Sequence, residues 1–279
     1  MDDVPRKSQT IGLILLGGLL LMRVAFLGGV GYFFWPSIPV WMRTVYENGT
    51  YLLTACLMWW ERKRLLDFFI GKGALGIFIF GPILEPVVYR LLSPISPLGQ
   101  DPLKPRWFQI AVGIVLLVAF IMTKTKIKKI QNKTITWLVV AVGLGAAAAA
   151  LLGFLMAKFQ PMTENPEKGS FSLAMLCAVF VSQLTRAAVD EEPLFRGFLW
   201  GFLRKAGWHD AGIWLFQAGL FMVSHIYYFG RAPISFWIVV PVSGLVMGFV
   251  AWRSRSIANS MVSHGLVNAL GSALRSLIK

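Results

Sequence analysis

Residues 171–205 read FSLAMLCAVFVSQLTRAAVDEEPLFRGFLWGFLRK, and the reading of this stretch decides the fold. Its apolar flanks together exceed the roughly 20 residues that cross a hydrocarbon core as a helix. Yet Asp190, Glu191 and Glu192 stand side by side in the middle. Three adjacent carboxylates repel one another, so inside a membrane they require a polar cavity, a cation, or protonation of at least one. Such a stretch implies a bundle of helices enclosing a site. The rest of the chain agrees: its 279 residues are 56% apolar and 14% charged, with a mean hydropathy of +0.65. A soluble domain carries about 25% charged residues, and a disordered chain would lack the 21 Phe and 11 Trp found here. The fold class is therefore all-α, a polytopic transmembrane bundle.

Outward from residues 171–205, apolar runs predict about eight or nine crossings, at about 11–35, 48–60, 74–93, 107–123, 135–157, 171–205, 212–229, 234–252 and 257–277. The run at 48–60 is short and reads as starting earlier, tilted or re-entrant, with Asn48-Gly49 as a turn before it. Arg23, at mid-depth in the first run, must point into the bundle or reach an interface. The first run is a retained helix, not a cleaved signal. The net charge of +14 follows the loops: Arg62, Lys63, Arg64 and Lys72; Lys124, Lys126, Lys128, Lys129 and Lys133; Arg204 and Lys205; Arg253 and Arg255. Such loops face the cytoplasm and its anionic lipid, which excludes nucleic acid as the partner of this charge. The loops 36–47, 94–106 and 158–170 then face outward. Cys56 and Cys177 sit in separate apolar runs and form no disulfide framework. Gly143 to Ala150 supplies a small-residue face for close helix packing.

Chemistry gathers toward the C-terminus. Glu192 and Arg196 are spaced i, i+4 and stack on one helical face as an ion pair, while Glu191 points about 100° away and is left free to act as a base. Two of the three histidines, His225 and His264, lie in later apolar runs. His264 and Asn268, again i, i+4, aim an imidazole and an amide the same way and could hold an oxyanion. His209 belongs to a solvated turn.

In order along the chain, Glu191-Glu192-Pro-Leu-Phe-Arg196 forms EExxxR, Phe221 to His225 forms FxxxH and His264 to Asn268 forms HxxxN. Over residues 171–279 the chain thereby resembles the CPBP-family intramembrane proteases, which include the type II CAAX prenyl endopeptidases. The resemblance implies a helical bundle with a conical cavity open to membrane and cytoplasm. It also implies water activated by Glu191 and His225, an oxyanion held by His264 and Asn268, and Arg196 orienting Glu192. It divides the chain into N-terminal membrane helices, 1–170, and a protease-like core, 171–279. The implied substrate is a membrane protein or a lipidated peptide, met in the lipid bilayer, and the chain itself is expected to be a multi-pass protein of the plasma (inner) membrane if the source is prokaryotic. No cofactor is expected; the zinc alternative would use Glu191, His225 and His264 as ligands. Two other readings remain open: a non-catalytic immunity or scaffold protein of the same family, and an ion-coupled transporter built around Glu85 in its Pro-interrupted helix, although a local pair of Glu85 with Arg90 or Arg23 accounts for that residue.

Overall fold

The computed structural model describes residues 6–31, 38–92, 107–125, 134–159 and 173–277. The loop 94–106, most of 158–170, and Lys126, Lys128, Lys129 and Lys133 lie outside the described residues. Among the described residues eleven α-helices follow in order: α1 (Arg6–Arg23), α2 (Val40–Trp60), α3 (Lys72–Leu92), α4 (Trp107–Met122), α5 (Thr134–Phe159), α6 (Leu173–Thr185), α7 (Ala187–Glu192), α8 (Trp200–Lys205), α9 (Asp210–Val223), α10 (Val240–Ser254) and α11 (Ile257–Leu277). Among the described residues there is no strand. The helical bundle expected from sequence is the fold.

Among the described residues, four helices are long and apolar enough to cross a membrane: Thr10–Leu27, Ile135–Phe159, Leu173–Lys205 and Ser235–Ser254. Three more, α2, α3 and α11, have 21 residues each, a length of about 31 Å at the helical rise. They are less apolar because they carry buried polar groups into the bundle, among them Thr50, Thr54, Glu85, Ser260, Ser263 and His264. The Asn48-Gly49 turn expected from sequence is not formed. Both residues lie inside α2, which begins at Val40, and Thr50 is buried. Packing of the helix has overridden a local turn preference.

Small residues set one close approach. A side-chain carbon added at Gly145 would come within 3.1 Å of the Ser263 carbonyl, and one at Gly153 within 3.2 Å of the Gly271 carbonyl. The pairs 145/263 and 153/271 keep the same spacing on both helices, so α5 and α11 run parallel. Their backbones touch because glycine is at the contact.

One end of the bundle gathers cationic loops. The Ile257 amide donates to the Phe69 carbonyl at 3.0 Å, Lys205 pairs with Asp67 at 3.3 Å, and Asp210 pairs with both Arg204 (2.5 Å) and Arg255 (3.3 Å). Loops 61–71, 204–210 and 253–256 thus form one surface. Beneath it lies an aromatic layer in which Phe68 meets Phe198 and Phe202 at ring separations of 4.9 and 5.2 Å, and Trp200 meets Trp252 at 6.3 Å.

Two irregularities shape the interior. Pro193 has no amide hydrogen for the next helical bond, and after α7 the chain winds as a wider π-helix, Pro193–Leu199, all of it buried. The sequence reading extended the seventh crossing through 229. Instead α9 stops at Val223, where the Ser224 hydroxyl and His225 Nδ1 both turn back to the Phe221 carbonyl, at 2.7 and 2.8 Å. Non-helical backbone at this depth is tolerated where it lines a cavity.

Candidate active site

The end of α7 carries Glu191 and Glu192, and the π-helical turn that follows carries Arg196, all of them buried. Glu192 is completely buried. Its Oε1 lies 3.4 Å from Arg196 Nη1 and 2.8 Å from His264 Nδ1, and its Oε2 accepts from the Ser260 hydroxyl at 2.5 Å. Ser260 and His264 are one turn apart on α11, so one helical face grips both carboxylate oxygens. Arg196 in turn stacks 4.2 Å above the Phe221 ring and donates to the Gly244 carbonyl at 3.5 Å. The i, i+4 pair of Glu192 and Arg196 expected from sequence is present.

Glu191 lies between the two histidines. His225 Nε2 is 3.7 Å from its Oε1, and His264 Nε2 is 3.6 Å from its Oε2. The His225 Nδ1 hydrogen is directed at the Phe221 carbonyl, so in neutral His225 the lone pair is on Nε2 and faces the carboxylate. Two acceptors at that spacing cannot bond each other. They can share a water that donates to both.

One expectation is corrected here. Glu191 is not free: its Oε1 accepts a hydrogen bond from Arg23 Nη2, and Arg23 is itself buried beneath the Phe195 ring. A carboxylate at this depth needs a counter-charge, and α1 supplies it. Arg23, one of the two expected partners of Glu85, is committed to Glu191, and buried Glu85 accepts from the Ser182 hydroxyl at 3.2 Å.

Asn268 stands one turn beyond His264, and its amide nitrogen donates to Gln183 Oε1 at 2.8 Å. An Asn amide has two hydrogens, so one remains for another acceptor. A cavity of about 370 Å³ brings Glu191, His225, His264 and Asn268 together with Gln183, Tyr227, Tyr228 and Ser272. Glu192 and Arg196 lie behind this wall. The sequence reading missed Arg23's partner, Ser260 and Gln183. Ser260 had a signal, standing four residues before His264 on the same face.

Among the described residues no group of three His, Cys, Asp or Glu side chains is arranged to hold a metal ion. The Glu191 oxygen nearest His225 is held by a guanidinium, whose charge would repel a metal dication there.

Comparison with protein families matches residues 171–270 to the model for type II CAAX prenyl endopeptidase Rce1-like proteins. This segment is similar to that family. The Rce1-like match encloses Glu191, Glu192, Arg196, His225, His264 and Asn268, but not Arg23. Together with the four long apolar helices it makes this a membrane protein. No curated protein and no solved structure was found to match the chain.

Proposed function

We propose that the chain is an intramembrane endopeptidase that hydrolyses a peptide bond of a membrane-associated protein with water activated by Glu191 and His225. The observation that carries this reading is the cluster around Glu191, where two imidazole Nε2 atoms lie within 3.7 Å of one carboxylate on the wall of a cavity. The Rce1-like match over the same residues supports peptidase chemistry.

In the proposed reaction a water between Glu191 and His225 gives up a proton to this pair as its oxygen attacks the scissile carbonyl carbon. The resulting oxyanion takes the free amide hydrogen of Asn268. His264 directs Nδ1 toward Glu192, which orients the ring in the way a buried carboxylate orients a catalytic imidazole, so it donates through Nε2 only when both ring nitrogens carry a hydrogen. Collapse breaks the C–N bond, and the proton held by the acid–histidine pair passes to the leaving amine. Arg23 fixes the rotamer of Glu191; Arg196 and Ser260 do the same for Glu192 and, through it, for His264.

Removing a single oxyanion donor costs about 10²–10³ in rate. Asn268→Ala should lose activity in that range while remaining measurable, as read from initial cleavage rates of a membrane-anchored peptide. An unchanged rate would place Asn268 outside the reaction. Direct water activation also predicts that enzyme dialysed against chelator, and zinc-free by elemental analysis, retains its turnover. Loss on chelation and recovery with stoichiometric zinc would overturn that part of the mechanism.

The Arg23–Glu191 ion pair favours a second reading, a non-catalytic immunity or scaffold protein in which the acids serve only to hold α1 against the core. The purified protein distinguishes the two: an enzyme yields a new peptide terminus, a scaffold yields none.

A further inference from the structure

The Gln183–Asn268 hydrogen bond joins two helices, and a glycine lets those helices meet. Gly265, a turn before Asn268 on α11, faces Phe180, a turn before Gln183 on α6. A side-chain carbon added at Gly265 would come within 3.0 Å of the Phe180 ring and 3.5 Å of its carbonyl oxygen, so the close contact depends on the missing side chain. One turn on, Gln183 Oε1 lies 2.8 Å from Asn268 Nδ2. Both side chains are half-buried on the cavity wall that also carries Glu191 and His264. Gln183 falls inside the Rce1-like match but in none of the EExxxR, FxxxH and HxxxN motifs.

The bond bears on what Asn268 presents to the cavity. A primary amide has nearly the same shape either way round, with an acceptor oxygen on one arm and two donor hydrogens on the other. As it stands, one Nδ2 hydrogen goes to Gln183 and the second is left for another acceptor. Turned over, the same side chain would offer Oδ1 lone pairs in that place, and an oxyanion would be repelled. The choice matters because neutral His264, with Nδ1 directed to Glu192, has only a lone pair on Nε2. Of the two oxyanion residues, Asn268 alone then donates.

We propose that Gln183 is a positioning residue for this reaction: its amide oxygen, by accepting from Asn268 Nδ2, selects the orientation of the Asn268 amide and aims the second hydrogen at the oxyanion. Gln183 acts through Asn268 rather than on the reacting atoms. The inference rests on the reading that Asn268 donates to the tetrahedral intermediate.

The test is a double-mutant cycle in kcat and KM, measured per folded molecule. Gln183→Met and Gln183→Leu both remove the amide, the first keeping an unbranched side chain, so that either can serve if the other fails to fold. Each should lower kcat by at least about tenfold, and by no more than the about 10²–10³ that losing an oxyanion donor outright costs. KM should stay nearly constant, because the interaction lost is one made in the transition state. Added to Asn268→Ala, the same change should have no further effect, since the residue it positions is gone. A merely structural contact would lower the rate equally in both backgrounds, and that result would overturn the proposal. So would a Gln183→Met protein with unchanged kcat beside an Asn268→Ala protein that has lost its rate; the oxyanion reading would then stand without it. If Asn268→Ala itself keeps full rate, the oxyanion reading fails and takes the proposal with it.

Discussion

Glu191→Gln should abolish cleavage, with a fall of at least ~10³ in rate, since general-base catalysis contributes about 10²–10⁴ and a neutral amide cannot take the proton from water. His225→Ala should fall to a similar level. From sequence alone, Glu191→Gln would be a near-isosteric change without consequence for folding. The ion pair with Arg23 alters that expectation, because the substitution leaves a buried guanidinium without its counter-charge, and breaking a buried pair costs about 3–5 kcal/mol. The double variant Arg23→Gln/Glu191→Gln removes both charges. It should regain much of the lost thermal stability in detergent and none of the activity. A folded Glu191→Gln protein that keeps most of its rate would remove Glu191 from the role of base.

Arg196→Met should be the most destabilising single change in the site. Arg196 is fully buried, stacks on Phe221 and faces Glu192, which is itself completely buried. Removing one partner of such a pair costs about 3–5 kcal/mol because the other charge stays in a low-dielectric interior. Adding Glu192→Gln should restore part of this stability. The thermal unfolding temperature in detergent checks both steps, and a single variant as stable as the unaltered protein would show that Arg196 does not carry the charge balance of Glu192.

Much of the bundle was legible because a membrane leaves few alternatives: every apolar run of sufficient length must be a helix, and each buried charge must face the interior. Thus the run at 135–157 appears as Thr134–Phe159, and Arg23 points inward as its depth requires. Spacings within one helix were equally legible, which is why Glu192 with Arg196 and His264 beside Asn268 could be placed from i, i+4 positions. Contacts between helices distant in sequence were not. Nothing in the local pattern says that Arg23 meets Glu191, separated by 168 positions, or that Asn268 meets Gln183, separated by 85. The same limit explains Asn48-Gly49, a turn by local preference that lies within a helix because its neighbours pack there.

The central claim is hydrolysis by this chain, and its most direct test is mass spectrometry of a membrane-anchored peptide incubated with the purified protein in water enriched in oxygen-18. The account predicts two fragments, with one oxygen-18 atom at the new C-terminal carboxylate, and neither fragment when Glu191→Gln replaces the unaltered protein. No cleavage by the folded protein across a panel of lipidated and membrane-anchored peptides, or the same fragments at the same rate from Glu191→Gln, would contradict it.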